Sequence, residues 1–324
     1  MFRVQLLLVL SLVLLMSASI RAADVKIPVI LDTDIGDDID DTWALALLLK
    51  SPEVDLKLVV GDYYKARYRA KIIAKFLQTA GRSDVGVGIG LKPEDPAVGP
   101  QAKWVETYDL KAYPGKVHED GVQAIIDTIM GAPTPITLIC IGPAPNIAGA
   151  LRRNPLIATK ARFVGMYGSV RKGYDGNAKP AAEWNVKADP KAAQAVFTAP
   201  WEMTITPLDT CGLVRIKGAK FKTLRDSADP IAKTVLENYD IWAKGKPTES
   251  SVLFDTVAAY LSFSNDLCTM EKLNIRVSGD GMTVIDPGGK AMNVATEWKD
   301  MAGFEDLLVE RLTAGTVAGV KDRP

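Results

Sequence analysis

Residues 29–49, VILDTDIGDDIDDTWALALLL, run from an apolar segment straight into six aspartates and out again into a second apolar segment. Val29, Ile30 and Leu31 show no polar alternation, as expected of a parallel strand covered on both faces. The acids Asp32, Asp34, Asp37, Asp38, Asp40 and Asp41 follow at once. Carboxylates packed so closely cannot all stay ionised without a compensating cation. A hard ion such as calcium, which takes about six to eight oxygen ligands, meets that demand, and Gly36 lets the turn close tightly around it. The plainer alternative is a solvated acidic loop capping the next helix. Position favours the ligand site, because open α/β sheets bind ligands beyond the carboxyl ends of their strands.

Along the chain, strand-like and helix-like segments alternate. Asp55 to Gly61 reads as a second strand ending at Asp62, Ala66 to Gly81 as a helix with Ile72, Ile73, Phe76 and Leu77 on one face, and Val85 to Gly90 as a third strand. The proline-bearing stretch 91–119 reads as a long loop near the mouth of a site, and it ends on the only histidine, His118. Further strands are expected at Pro135 to Ile141, Arg162 to Tyr167 and Trp201 to Thr206. Helices are expected at Val122 to Met130, Asp229 to Lys244 and Phe304 to Leu312, with a hairpin around TVIDPGGKAMNVA. Asp189-Pro190 has the form of an N-cap with proline at the first helical position. Asn177, Glu183 and Asn185 offer amide and carboxylate groups suited to vicinal hydroxyls.

With 324 residues and 48% hydrophobic content the chain can build one large α/β core. Residues 1–22 have the pattern of a secretory signal: Arg3, an apolar stretch from Val4 to Leu15, then small residues. The stretch is short for a membrane span, so no stable membrane insertion is expected after signal removal. The 39 basic and 39 acidic residues balance, and loss of Arg3 and Arg21 tips the remainder to about −2. Nothing in that charge attracts nucleic acid. Cys140, Cys211 and Cys268 show neither zinc-ligand spacing nor a disulfide framework.

Several of these blocks, in order, resemble the inosine/uridine-type nucleoside hydrolases. DTDIGDDIDDTWAL is similar to the family's DxDxGxDDxxAL, with either Asp37-Asp38 or Asp40-Asp41 as the acid pair; the helix-like TWALAL favours Asp40-Asp41. IGPAPNIA resembles TGPLTNIA, GNAKPAAEWNVKADPKAA carries the GN, ExN and DPxAA elements, and VHEDGV resembles IHGxxGL. Before an Ala-rich helix the family shows His-Asp, where this chain has Phe254-Asp255.

The resemblance implies a Rossmann-like α/β fold, a mostly parallel sheet flanked by helices, in a single domain spanning 23–324. It implies calcium held by Asp34, Asp41, Asp255 and the carbonyl of Ile141, with Asp34 as the base that activates water against an N-glycosidic bond. Asp40, Asn177, Glu183 and Asn185 would hold ribose, as would Asp62 where the family has asparagine. With Phe254 in place of histidine, His118 is expected as the leaving-group acid, with Tyr167, Tyr174 and Arg171 as alternatives. The substrate is expected to be a ribonucleoside, the location outside the cytoplasm, and the assembly a homo-oligomer by family analogy alone. Two further readings stay open: a hydrolase of another ribosyl or glycosyl substrate, and a calcium-dependent sugar or nucleoside binder without catalysis. A haloacid dehalogenase type of phosphatase fits poorly, since Ile35-Gly36-Asp37 departs from that family's motif.

Overall fold

The computed structural model describes residues 26–92 and 94–315, so the apolar leader lies outside the described residues. Its strands are β1 (Ile27–Thr33), β2 (Val54–Gly61), β3 (Gly86–Gly88), β4 (Val117–His118), β5 (Ile136–Cys140), β6 (Ala161–Met166), β7 (Met203–Thr206), β8 (Cys268–Val277), β9 (Thr283–Ile285) and β10 (Lys290–Trp298). They form one ten-stranded sheet in the order β4-β3-β2-β1-β5-β6-β7-β10-β8-β9. From β4 across to β10 the pairing is parallel; β8 is antiparallel to both β10 and β9.

β1 lies at the centre because its side chains serve two cores at once. Val29 and Leu31 pack with Trp43, Phe76 and Tyr260 on one face, and Ile30 packs with Ile125, Phe163 and Phe197 on the other. The strand order reverses here, with β2 on one side of β1 and β5 on the other. That reversal opens a crevice at the strand ends, where this class of sheet binds ligands.

The helices start where the sequence chemistry puts them. Asp189 accepts from the amide of Ala192 and Asp229 from that of Ile231, each just ahead of a helix beginning with proline. The expected hairpin around 283–295 is not formed. β9 and β10 both pair with β8, whose ten residues lie between them. Among the described residues no helix is long and apolar enough to cross a membrane.

Candidate active site

β1 ends on Thr33, and its hydroxyl organises the acidic loop beyond the strand. It accepts from the amide of Ile35 at 3.1 Å and donates to the Asp41 carboxylate, tying both ends of that loop together. Gly36 has φ +105°, and a side chain there would collide with Tyr68, whose hydroxyl donates to the Gly36 carbonyl at 2.9 Å. Only glycine fits that turn.

The helix Asp40–Lys50 and the helix Phe254–Leu261 begin side by side. The Asp255 amide donates to an Asp40 carboxylate oxygen at 3.1 Å, so Asp40 caps a helix from another part of the chain. Carboxylate oxygens of Asp40, Asp41 and Asp255 lie within 4.8 Å of one another, and all three residues are buried. Burial, reinforced by neighbouring carboxylates, pushes all three well above the usual carboxylate range. Asp34 is pushed up to about 7 by burial, against the pull of Arg69. Three buried carboxyl groups at this spacing, with oxygen as the only donor atom, fit a hard divalent cation.

These residues line a cavity of about 530 Å³ that also takes in Ile141, Glu183 and Asn185. Asn185 directs its Nδ2 hydrogens at the carbonyls of Ile141 (3.2 Å) and Met166 (3.0 Å), which leaves its amide oxygen to accept. Glu183 caps its own helix, accepting from the amides of Asn185 (2.7 Å), Val186 (3.4 Å) and, across the site, Gly168 (2.9 Å). Burial pushes it up to about 7. Tyr174, Trp184, Trp242 and Phe254 also line the cavity, together with Asp37, Asp38, Lys65 and Met166.

The structure brings Asp34, Asp40, Asp41, Ile141, Glu183, Asn185 and Asp255 to one cavity. The acid pair that meets Asp255 is Asp40-Asp41, while Asp37 is drawn aside by Lys65 and Arg69. The close trio contains Asp40 rather than Asp34 of the expected ligand set.

Three expectations are corrected. His118 sits on β4 at the sheet edge, three strands and about 14 Å from β1 by ordinary strand spacing. Its Nε2 lies against Gly86 of β3, so it is no leaving-group acid for this cavity. Accordingly, His118→Ala is expected to leave kcat on nucleosides within about twofold of the parent, as initial rates would show; a tenfold loss would restore it to the site. Asp62 is buried behind the cavity, accepting from the amides of Ala144 (2.8 Å) and Asn146 (3.4 Å). It anchors the start of the helix Pro145–Arg153 instead of a sugar hydroxyl. Asn177 is exposed, and its side-chain oxygen accepts from the Lys179 amide at 2.9 Å in a local turn.

Sequence reasoning missed Arg69. Its guanidinium is fully buried and donates to the carbonyls of Asp34, Ile35 (2.9 Å), Tyr63 (2.9 Å) and Tyr64 (3.0 Å) and to the Asp37 carboxylate (2.8 Å). It clamps the acidic loop to Tyr63, Tyr64 and Lys65, three consecutive residues with φ of 51°, 61° and 51°. Such strained backbone persists only where its surroundings over-determine it. The signal was present: Arg69 falls three residues before Ile72 and seven before Phe76, a charge on an otherwise apolar stripe.

The sequence model of the inosine-uridine preferring nucleoside hydrolases matches residues 29–306. Among curated relatives, the pyrimidine-specific ribonucleoside hydrolases RihA of Salmonella arizonae and of Enterobacter sp. are each 30% identical over 311 residues, covering 88% of this chain and 98% and 97% of theirs. Among solved structures, a plant nucleoside hydrolase superposes with a TM-score of 0.75 at 23% identity, covering 89% of this chain and 99% of its own. A purine-preferring ribonucleoside hydrolase from Gardnerella vaginalis gives 0.71 at 24%, covering 88% and 98%.

Proposed function

The chain belongs to the inosine-uridine preferring nucleoside hydrolase family, and from that premise we infer that it is a calcium-dependent ribonucleoside hydrolase in which Asp34 activates the attacking water. The observation that carries this reading is the buried carboxylate trio of Asp40, Asp41 and Asp255 beside Asp34 in one cavity. Asp40, Asp41, Asp255 and the Ile141 carbonyl would hold the cation. When bound, a hard divalent ion supplies Lewis acidity that lowers the pKa of water at the site.

The rest of the chemistry belongs to the chain. An N-glycosidic bond breaks through an oxocarbenium-like state, and water arrives at the anomeric carbon. Asp34, next to the trio and itself buried, takes the water's proton. Asn185 offers its free amide oxygen to a ribose hydroxyl, and Glu183 stands beside it as a second acceptor. Their contacts strengthen as positive charge develops on the sugar, which is where binding accelerates the reaction. The apolar leader supports a place of work outside the cytoplasm, where calcium is plentiful.

The base preference is open to direct test, since the relatives include pyrimidine-specific and purine-preferring enzymes. Chromatography of purine and pyrimidine ribonucleosides incubated with the protein is expected to show free base and ribose in equal amounts at a rate independent of phosphate. Release that requires phosphate, or no release from any ribonucleoside, would overturn the assignment.

Cation binding should depend on pH. Carboxylates must lose their protons to bind a metal, and burial pushes Asp40, Asp41 and Asp255 well above the usual carboxylate range. Calcium affinity is therefore expected to go on rising with pH above that range, with protons released on binding. Calorimetric titration in buffers of different ionisation enthalpy measures that release; a pH-independent affinity would contradict it.

A further inference from the structure

The cavity is lined both by polar groups, among them Asp34, Asp40, Asp41, Asp255 and Asn185, and by the rings of Tyr174, Trp184, Trp242 and Phe254. A nucleoside combines the same two chemistries, a sugar bearing hydroxyls and a flat, stackable base. The sugar belongs with the carboxylates and the base with the rings.

When the glycosidic bond breaks, its electron pair stays on the base nitrogen, and a donor aimed at the base would stabilise that charge. Phe254, at the start of its helix, offers none. The indole nitrogen of Trp242 spends its hydrogen on the Asp37 carbonyl at 2.9 Å, and the Lys65 ammonium is paired with the Asp37 carboxylate. Tyr167 is buried and donates to the Gly142 carbonyl, while Arg171 is held at the surface by Glu271. Tyr174 is different. Its ring packs edge-on against Phe254 with centroids 6.2 Å apart, and its hydroxyl oxygen accepts from the Trp184 amide at 2.9 Å. That bond fixes the oxygen and leaves the phenolic hydrogen with no acceptor among the described residues.

We propose that the Tyr174 hydroxyl donates a hydrogen bond to the departing nucleobase, an assignment that rests on the ribonucleoside hydrolase reading above. Burial pushes the phenol up to about 12, so it keeps its hydrogen at neutral pH and serves as a donor without ionising. The step balances. The water oxygen bonds to the anomeric carbon as the carbon–nitrogen bond breaks with its electron pair going to the base. The water's proton passes to Asp34. The base leaves hydrogen-bonded to Tyr174 and takes a proton from solvent, and Asp34 returns its own, so one water is consumed to give ribose and neutral base.

The test compares Tyr174→Phe with the parent on inosine, uridine and p-nitrophenyl riboside, whose nitrophenolate leaves without help. Loss of the hydroxyl is expected to lower kcat on inosine and uridine by about 10²-fold or more. Turnover of the nitrophenyl substrate stays within about threefold, which also shows that the variant folds and keeps its water-activating half. Equal losses on all three substrates would overturn the proposal in favour of a packing role, and unchanged turnover of inosine and uridine would overturn it outright. A parent protein that cleaves none of the three would defeat the hydrolase reading itself, and this inference with it.

Discussion

Asp34→Asn is expected to lower kcat by about 10²–10⁴-fold, the range a positioned general base contributes. The loss should be of similar size on inosine, uridine and p-nitrophenyl riboside, because every one of them needs an activated water whatever its leaving group. That uniformity separates the water side of the site from the leaving-group side, where Tyr174→Phe discriminates between substrates. Asparagine keeps the shape of the side chain but cannot take a proton. Stopped-time assays of ribose release give the number. A variant retaining a tenth of parental turnover would move the base elsewhere in the acidic loop. Calcium titration of two further variants fixes the register of the acid pair: Asp41→Asn should weaken calcium binding strongly, whereas Asp38→Asn, at an exposed position, should not.

Arg69→Met is expected to cost about 3 kcal/mol of stability, near the lower end for breaking a buried ion pair. The lower end applies because the partner carboxylate Asp37 is 35% exposed and can regain water. The carbonyls of Asp34, Ile35, Tyr63 and Tyr64 would also lose their donors. For a chain of this size the midpoint of thermal unfolding should fall by about 5 °C. Arg69→Lys should recover only part of this, since an ammonium carries three hydrogens where the guanidinium has five in a rigid fork. Calcium affinity should weaken along with stability, because the loop from Asp34 to Asp37 loses its anchor beside the trio. Thermal melts of parent and variants, with and without calcium, measure both effects. A variant as stable as the parent would show that the strained residues 63–65 hold their conformation without the clamp.

The centre of the fold was legible because one short stretch carries it. An apolar run that ends on acids can be a strand feeding a crevice, and the chain builds just that at β1. Asp255 was legible only through the family resemblance at Phe254-Asp255, and the cap at Asp189 through the proline that comes after it. What could not be read were facts of lateral placement. His118 ends a stretch that looks like a site loop, yet β4 carries it to the far edge of the sheet. Asp62 ends a strand next to β1, but the helix start at Ala144 claims its carboxylate first. Tyr174 stood among several candidate donors, and only packing against Phe254 and the Trp184 amide singles it out. The false hairpin had the same origin: turn chemistry at 286–289 marks a reversal, but it cannot tell that β8 lies between the strands it joins.

The most direct test of the account is ribose released from inosine and uridine by protein stripped of metal with a chelator, monitored as calcium is added back. The carboxylate trio with Asp34 beside it predicts no release from the stripped protein and a return that saturates together with calcium binding. Full release in the presence of chelator, or saturated calcium binding with no ribose formed, would contradict it.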